Sequence, residues 1–300
     1  MPKSYKIDKL SINTRIDKWL KNNIGKLPQS LIEKDLRRGN IKLNDKKVKS
    51  STKLKLGDEI KLYKPNYKLH KIKSNQKFIP TQKIINFNES LIIEDNKDFI
   101  VLNKATGIPV QGGTKSKNNL IDVFSKSELF NFSKPYPVHR IDKDTSGVLI
   151  IAKNRETAKL LTTLFRLRKI HKSYLAICEG EINKDSGELK HDLVRYEGKK
   201  KVIEHAISHF KLIDKNSNYS FLKLNPITGR KHQLRKQLFE IGHPICGDKK
   251  YFSNHTHTNL LLHAYQIKFM INKKKFSYRA ALPKYFNNFL KIKKLNFLEN

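Results

Sequence analysis

Two cysteines, two methionines and one tryptophan in 300 residues leave several kinds of chemistry without material. Cys178 and Cys246 stand far apart with no Cys-x-x-Cys around either. That excludes a disulfide framework and a thiolate zinc site, and fits a reducing cytosol. No window approaches the ~18 consecutive apolar residues of a membrane span. The opening MPKSYKIDKL has neither the apolar centre of a secretion signal nor an Arg/Ser-rich amphipathic stretch, so a cytoplasmic protein without a membrane role is expected. No Gly-x-Ser-x-Gly occurs, and neither cysteine has a histidine at a known spacing, so covalent hydrolase chemistry lacks its nucleophile.

Acids are scarce as well: 27 against 62 basic residues, a net charge of +35. An excess of this size favours a polyanionic partner, and without a membrane signal that partner is nucleic acid. Residues 1–90 hold 23 of the basic residues against 8 acids, a denser excess than an even lysine-rich bias would leave. Hydrophobic residues at 38% still supply a folded core, and the length suits two domains.

From Thr14, apolar residues at Ile16, Trp19, Leu20 and Ile24 recur at helical spacing and stop at Gly25. Pro28 then opens a second helix that runs through Arg38 and closes at Gly39. NIKLNDKKVK reads as strand, tight Asn44-Asp45 turn and strand, and GDEIKLYK as a further strand. This order, over 14–62, resembles the S4 RNA-binding domain, a small ααβ module. The resemblance implies that Arg15, Lys18, Lys34, Arg37, Arg38 and Lys42 contact RNA, as phosphate contacts that give affinity with little sequence information.

Residues 63–90 are polar and lysine-rich, contain Pro65 and Pro80, and read as a linker with some strand character near the end. A second domain, 91–300, opens with the strands LIIED and DFIVLNK. Further strands are expected near 147–153, 172–179, 205–213, 219–226 and 260–272, with helices near 155–169 and 231–241. Strands outnumber helices without βαβ alternation, so the class is α+β with a mixed, largely antiparallel sheet.

Three motifs fail on inspection. GIPVQGGT places Gly113 where a phosphate loop needs its lysine. Asp142, Asp144 and Ser146 open like a calcium loop, but Lys153 stands where the closing glutamate belongs. His255 and His257 have no third ligand at a known spacing. No metal is expected.

What remains is HRIDKDTSGVLIIAK, where Asp142 lies between Arg140 and Lys143 just before an unbroken apolar strand. A carboxylate on so rigid an element suits a reactive role; a salt-bridged turn is the plainer alternative. Downstream, TGRKHQLR carries Arg235 into a helix, from which it could form a bidentate pair with Asp142 and lower its pKa. Tyr174, in KSYLAICEG, is the aromatic candidate for stacking on a base, or ordinary packing.

HRIDKDTSG, EDNKDFIVLNKATGIPVQGG, KSYLAICEG and TGRKHQLR…IGHPICGDKKY are similar, in that order, to the blocks of the Rlu-type RNA pseudouridine synthases, in particular the RluC-type enzymes of bacterial 23S ribosomal RNA. The resemblance covers roughly residues 14–285. It implies a catalytic aspartate at Asp142, an arginine partner at Arg235, a ring-packing tyrosine at Tyr174, and Arg140 filling the space of a flipped base. It further implies a cofactor-free isomerase acting, as a monomer, on ribosomal RNA or a large-subunit assembly intermediate. Action on transfer or small-subunit RNA, or a non-catalytic assembly role, are the alternatives. Ala105, Gln111, Ile141 and Phe252 depart from the family pattern, and each touches loop shape or RNA contact rather than a reacting group.

Overall fold

The computed structural model describes residues 2–8, 11–25, 27–63, 78–112, 118–197, 200–252 and 259–297. The chain divides into two units, Met1–Lys77 and Phe78–Asn300. In the first, β1 (Lys3–Lys6), α1 (Ile16–Asn23), α2 (Gln29–Arg38), β2 (Ile41–Leu43) and β3 (Glu59–Leu62) follow one another. The helices bury the residues their periodicity marks: Ile16, Trp19 and Leu20 on α1, Ile32 and Leu36 on α2. Gly39, at φ +80°, ends α2, and the N–H of Asn40 returns to the Asp35 carbonyl. Asn44 and Asp45 both have positive φ, the tight turn their identities suggest, but the strand expected after it reduces to a single bridge between Lys46 and Leu43. β1 completes an antiparallel sheet of order β1-β3-β2. It is not anticipated from sequence because Lys3–Lys6, mostly exposed, shows no apolar alternation.

The second unit contains α3 (Gln82–Glu89), β4 (Ile92–Asp95), β5 (Phe99–Lys104), α4 (Leu120–Phe124), β6 (Tyr136–Pro137), β7 (Ser146–Ala152) and α5 (Arg155–Arg166). There follow β8 (His171–Glu179), β9 (Ser186–Glu197), β10 (Lys200–Lys215), β11 (Tyr219–Pro226), α6 (Gln233–Glu240), β12 (Leu262–Ile271), β13 (Lys274–Arg279) and α7 (Lys284–Ile292). One sheet runs β4-β5-β7-β12-β8-β11-β10-β9, with β13 on β12 and β6 on β7. Among the described residues its pairings are antiparallel except β7 with β12, so the class is α+β with a mixed, largely antiparallel sheet.

The unbroken apolar run of β7 has a direct cause. Val148, Ile150 and Ala152 face a cluster that includes Leu161 of α5, while Leu149 and Ile151 face one that includes Leu120 and Phe124 of α4. A strand covered on both faces has no polar side to alternate with.

The stretch 63–90 differs from its reading as a linker. Residues 64–77 lie outside the described residues, but Gln82–Glu89 is helical rather than strand-like. Its apolar residues mislead because Ile85 is buried while Phe87 and Ile79 are exposed, so the pattern shows no clean period. The buried Asn88 amide caps the Ile84 carbonyl, and Glu89 accepts a hydrogen bond from Ser127 just beyond α4. β9, β13 and α7 are likewise not anticipated; β13 alternates only between exposed and half-buried residues.

Where β7 begins, it runs parallel to β12 for only two registered pairs, His263 with Ser146 and Ala264 with Gly147. Gly147 sits at φ +112°, and a Cβ there would lie 2.2 Å from the Ala264 carbonyl oxygen. Gly147→Ala is expected to cost about 3 kcal/mol through strain and overpacking, read as a lower urea midpoint. An unchanged midpoint would show the two strands to be slack at this point.

Candidate active site

Asp142 stands in the turn that delivers the chain into β7, and several groups hold that turn. The ammonium of Lys104, wholly buried at the end of β5, donates to the carbonyls of Ala105, Ile108 and Lys143 at 2.8, 3.0 and 3.0 Å. All three donors are thereby used. Burial pulls the Lys104 pKa down to about 7, against the opposing pull of the Asp144 and Asp142 carboxylates. Thr106 donates to the Asp144 carbonyl and the Gly107 N–H to that of Lys143, both at 2.9 Å. From the other side, His139 Nε2 accepts the Ile150 N–H at 2.9 Å while its ring stacks on Phe165. Burial lowers the His139 pKa to about 3, so the ring is a neutral acceptor.

Arg235, on the second turn-and-helix segment, does not pair as the sequence suggests. Its Nε and Nη2 donate to Asp248 at 2.7 and 2.6 Å, a buried bidentate pair, while Nη1 stays 3.7 Å from Asp142 Oδ2. Asp248 wins because its own loop fixes it: Oδ1 also accepts the N–H groups of Lys250 and Tyr251. Gly247 lets that loop press against β12's approach, where a Cβ would fall 2.0 Å from the Asn259 carbonyl oxygen.

The two carboxylates therefore titrate in opposite directions. Burial raises the Asp142 pKa, and the charges of Arg235 and Arg140 offset this only in part. Burial would raise Asp248 too, but the Arg235 hydrogen bonds and charge outweigh it and hold it below the usual carboxylate value. The expected bidentate pair between Arg235 and Asp142 is thus corrected: the fork goes to Asp248, and the pull of Arg235 on Asp142 does not overcome burial. Asp248 carries a role that the sequence leaves unassigned, although it sits in the ICGDKKY block; an acid directly after a glycine in a loop was the available signal.

Tyr174, on β8, packs between two hydrophobic clusters and lines the same cleft. Burial pushes its hydroxyl pKa up, so it remains a phenol. The cleft has a volume of about 770 Å³. Arg140, Arg166, Arg168, Lys172, Arg230 and Lys231 are among the residues lining it, whereas Asp142 and Glu204 are its acids. Arg140 is exposed at the wall. A cationic cleft with one partly buried carboxylate and a phenol on its floor can hold a polyanion and present that carboxylate to a sugar or a base.

A Ser–His pair also exists, at Ser146 Oγ and His263 Nδ1, 2.8 Å apart. It is no nucleophile: both residues are buried, and His263 Nε2 is used on the Ala280 carbonyl.

In the first unit, Lys18, Lys34, Arg37 and Arg38 are exposed. Arg15 is committed to Asp17, with Nη2 to Oδ2 at 2.6 Å, and the Lys42 ammonium sits 4.9 Å from the Tyr63 ring centre. Gly113, His255 and His257 lie outside the described residues.

These features coincide with a known family. Residues 98–240 match the RNA pseudouridylate synthase family and residues 14–60 the S4 domain. The chain is 33% identical over 305 residues to Ribosomal large subunit pseudouridine synthase C of Buchnera aphidicola subsp. Acyrthosiphon pisum, covering 95% of each chain. To the protein of that name from Rickettsia bellii it is 35% identical over 298 residues, covering 92% of this chain and 97% of that one. Its fold is similar to that of Human RNA Pseudouridylate Synthase Domain Containing 4, with a TM-score of 0.64 at 23% identity over 72% of this chain and 98% of that one. The chain belongs to the RNA pseudouridine synthase family, and is an isomerase of that class preceded by an S4 domain.

The opposite shifts have opposite consequences for stability. Because the fold raises the Asp142 pKa, the ionised form is penalised; Asp142→Asn is expected to raise the thermal midpoint at pH 7, the gain fading as pH falls toward about 4. Asp248, with a lowered pKa, stabilises above its unfolded value and loses that contribution in acid. Asp248→Asn is expected to cost about 3–5 kcal/mol at pH 7 by leaving Arg235 buried without its partner. Equal effects of the two variants would refute this division.

Proposed function

We propose that this enzyme converts uridines to pseudouridine in bacterial 23S ribosomal RNA, with Asp142 as the reacting carboxylate. The observation that carries the reading is Asp142 itself, partly buried on the floor of a cationic cleft and within 4 Å of two nitrogen-bearing side chains. The names of the large-subunit relatives support the choice of RNA. One chain acts alone, since the groups lining the cleft all belong to one unit, and ribosomal RNA as substrate puts it in the cytoplasm. A catalytic unit that starts at Phe78 and an S4 unit at 14–62 are the division we adopt.

Isomerisation breaks the N1–C1′ bond, turns the uracil while it stays bound, and joins C5 to C1′; C5 then gives up its proton and N1 takes one up, so that composition is unchanged. A target in a stacked strand must first leave the stack, at a cost of a few kcal/mol, and exposed Arg140 occupies the space it vacates. The ionised Asp142 then attacks C1′ or removes a sugar proton to give a glycal; both routes need the carboxylate charged. Arg235 and Arg140 supply the positive potential that opposes burial. Tyr174 packs against the uracil and, as a neutral phenol, holds its plane while the ring turns. Lys18, Lys34, Arg37 and Arg38 add phosphate contacts from the S4 unit.

Asp142→Asn is expected to abolish pseudouridine formation on 23S RNA transcripts while RNA binding persists; undiminished turnover would sink the mechanism. A pseudouridine map of cells lacking the protein should lose sites in 23S RNA. Loss from transfer or small-subunit RNA instead would reassign the substrate, and no loss would point to a binding factor. Replacing Lys34, Arg37 and Arg38 together with Ala should weaken RNA binding and flatten the log–log salt slope by about 2, at 0.7–0.9 per phosphate contact. An unchanged slope would remove α2 from the interface.

A further inference from the structure

We infer that His232 is a positioning residue for the reactive carboxylate, presenting its Nε2–H to Asp142 while the Tyr251 hydroxyl anchors the ring at Nδ1. The inference rests on the reading of Asp142 as the reacting group and adds to it the means by which that group is aimed.

Three observations carry it. First, His232 Nε2 lies 3.8 Å from Asp142 Oδ1, while Arg235 approaches the other oxygen, Oδ2. Arg235 is not available for more, since Asp248 takes its Nε and Nη2. Oδ1 of Asp142 is thus faced by the imidazole. Apo distances of this kind shorten when a substrate closes the site.

Second, the far side of the ring is anchored. His232 Nδ1 and the Tyr251 hydroxyl are 2.8 Å apart. Tyr251 is fixed in turn: its N–H is bonded to Asp248 Oδ1, and the Arg235 guanidinium lies 5.3 Å from its ring centre. Two tautomers fit the Nδ1 contact, and the carboxylate decides between them. With Nδ1–H, the Nε2 lone pair would face the negative Oδ1; with Nε2–H, a donor faces it and Tyr251 donates to Nδ1. The second arrangement satisfies both ends.

Third, the backbone bears a cost to place the ring. His232 adopts φ +54°, ψ +31° at the start of α6, the left-handed region that non-glycine residues seldom occupy, and its side chain caps no N–H of that helix. Strain kept at a cleft without a capping benefit marks a side chain held for its position. Burial and the charges of Arg235, Lys250 and Lys231 lower the His232 pKa to about 4, so the ring stays neutral and the donor is an N–H rather than a second cation.

The experiment compares His232→Leu, His232→Gln, His232→Asn and Asp142→Asn on an RNA transcript that the wild-type enzyme converts. Glutamine places an amide N–H near the Nε2 position; asparagine reaches only the Nδ1 position. His232→Leu should lower kcat about 100-fold with KM within twofold, as misaiming of a reacting group does. Glutamine should recover most of that loss and asparagine little of it. A Leu variant within threefold of wild type, equal rescue by both amides, or losses that track the thermal midpoint would overturn the inference. If Asp142→Asn is inactive in those cases, only the role of His232 falls; an active Asp142→Asn removes the reading beneath it. Nitrogen NMR of labelled histidines in the wild-type protein gives a test free of any folding defect. The Nε2–H tautomer at His232 is expected, and Nδ1–H in the wild type would overturn the inference.

Discussion

A single buried ammonium organises the catalytic unit. Lys104 ends β5 with no exposure to solvent, and a charge so placed is tolerable only when each N–H finds an acceptor. Its three acceptors are carbonyls of the segment after β5 and of Lys143, so one side chain ties the end of β5, the loop that follows, and the turn carrying Asp142. β5 and β7 already pair along their whole length, and Lys104 extends that registration past the last ladder bond. The turn inherits the rigidity of a sheet whose centre is covered on both faces. A reacting group, the role proposed for Asp142, needs a support of this kind.

The second organising fact is that one guanidinium faces two carboxylates. Arg235 gives its fork to Asp248 and only its remaining nitrogen to Asp142. Had the fork gone to Asp142, that carboxylate would be deeply stabilised and poorly reactive. Held at 3.7 Å instead, it keeps a raised pKa. Asp248 thus bears on the protonation of a residue it does not touch, by engaging the fork of the cation between them. The Tyr251–His232 contact is built on the same loop, so Asp248, Tyr251 and His232 act as one support.

Burial also sorts side chains that look alike in composition. His139 and His232 both line the cleft, but His139 is tied to β7 through the Ile150 N–H while His232 faces Asp142, and His263 is a neutral strut inside the sheet. Arg15 is bound into the S4 unit through Asp17, while Lys34, Arg37 and Arg38 on α2 remain exposed to a partner. A charge count treats all of these as equivalent, and geometry does not.

The sequence by itself determined the ααβ order of the first unit, the strands β4, β5, β7, β8, β10, β11 and β12 with the helices α5 and α6 (though not α4 and β9 between them), and the segments that meet at the cleft. Those are local matters: helical spacing at Ile16, Trp19 and Leu20, the Asn44-Asp45 turn, and the apolar run of β7 are written in neighbouring residues. α3 escaped because a short helix with few buried side chains leaves little periodic trace. Only the tertiary structure decided which carboxylate Arg235 binds, that Lys104 is a buried clasp, and that His232 faces Asp142. Asp142 and Asp248 are each plausible partners along the chain; the choice falls to distances that exist only once the sheet, in which β12 and β8 separate β7 from β11, has gathered the turn before β7 and the helix after β11 at one cleft.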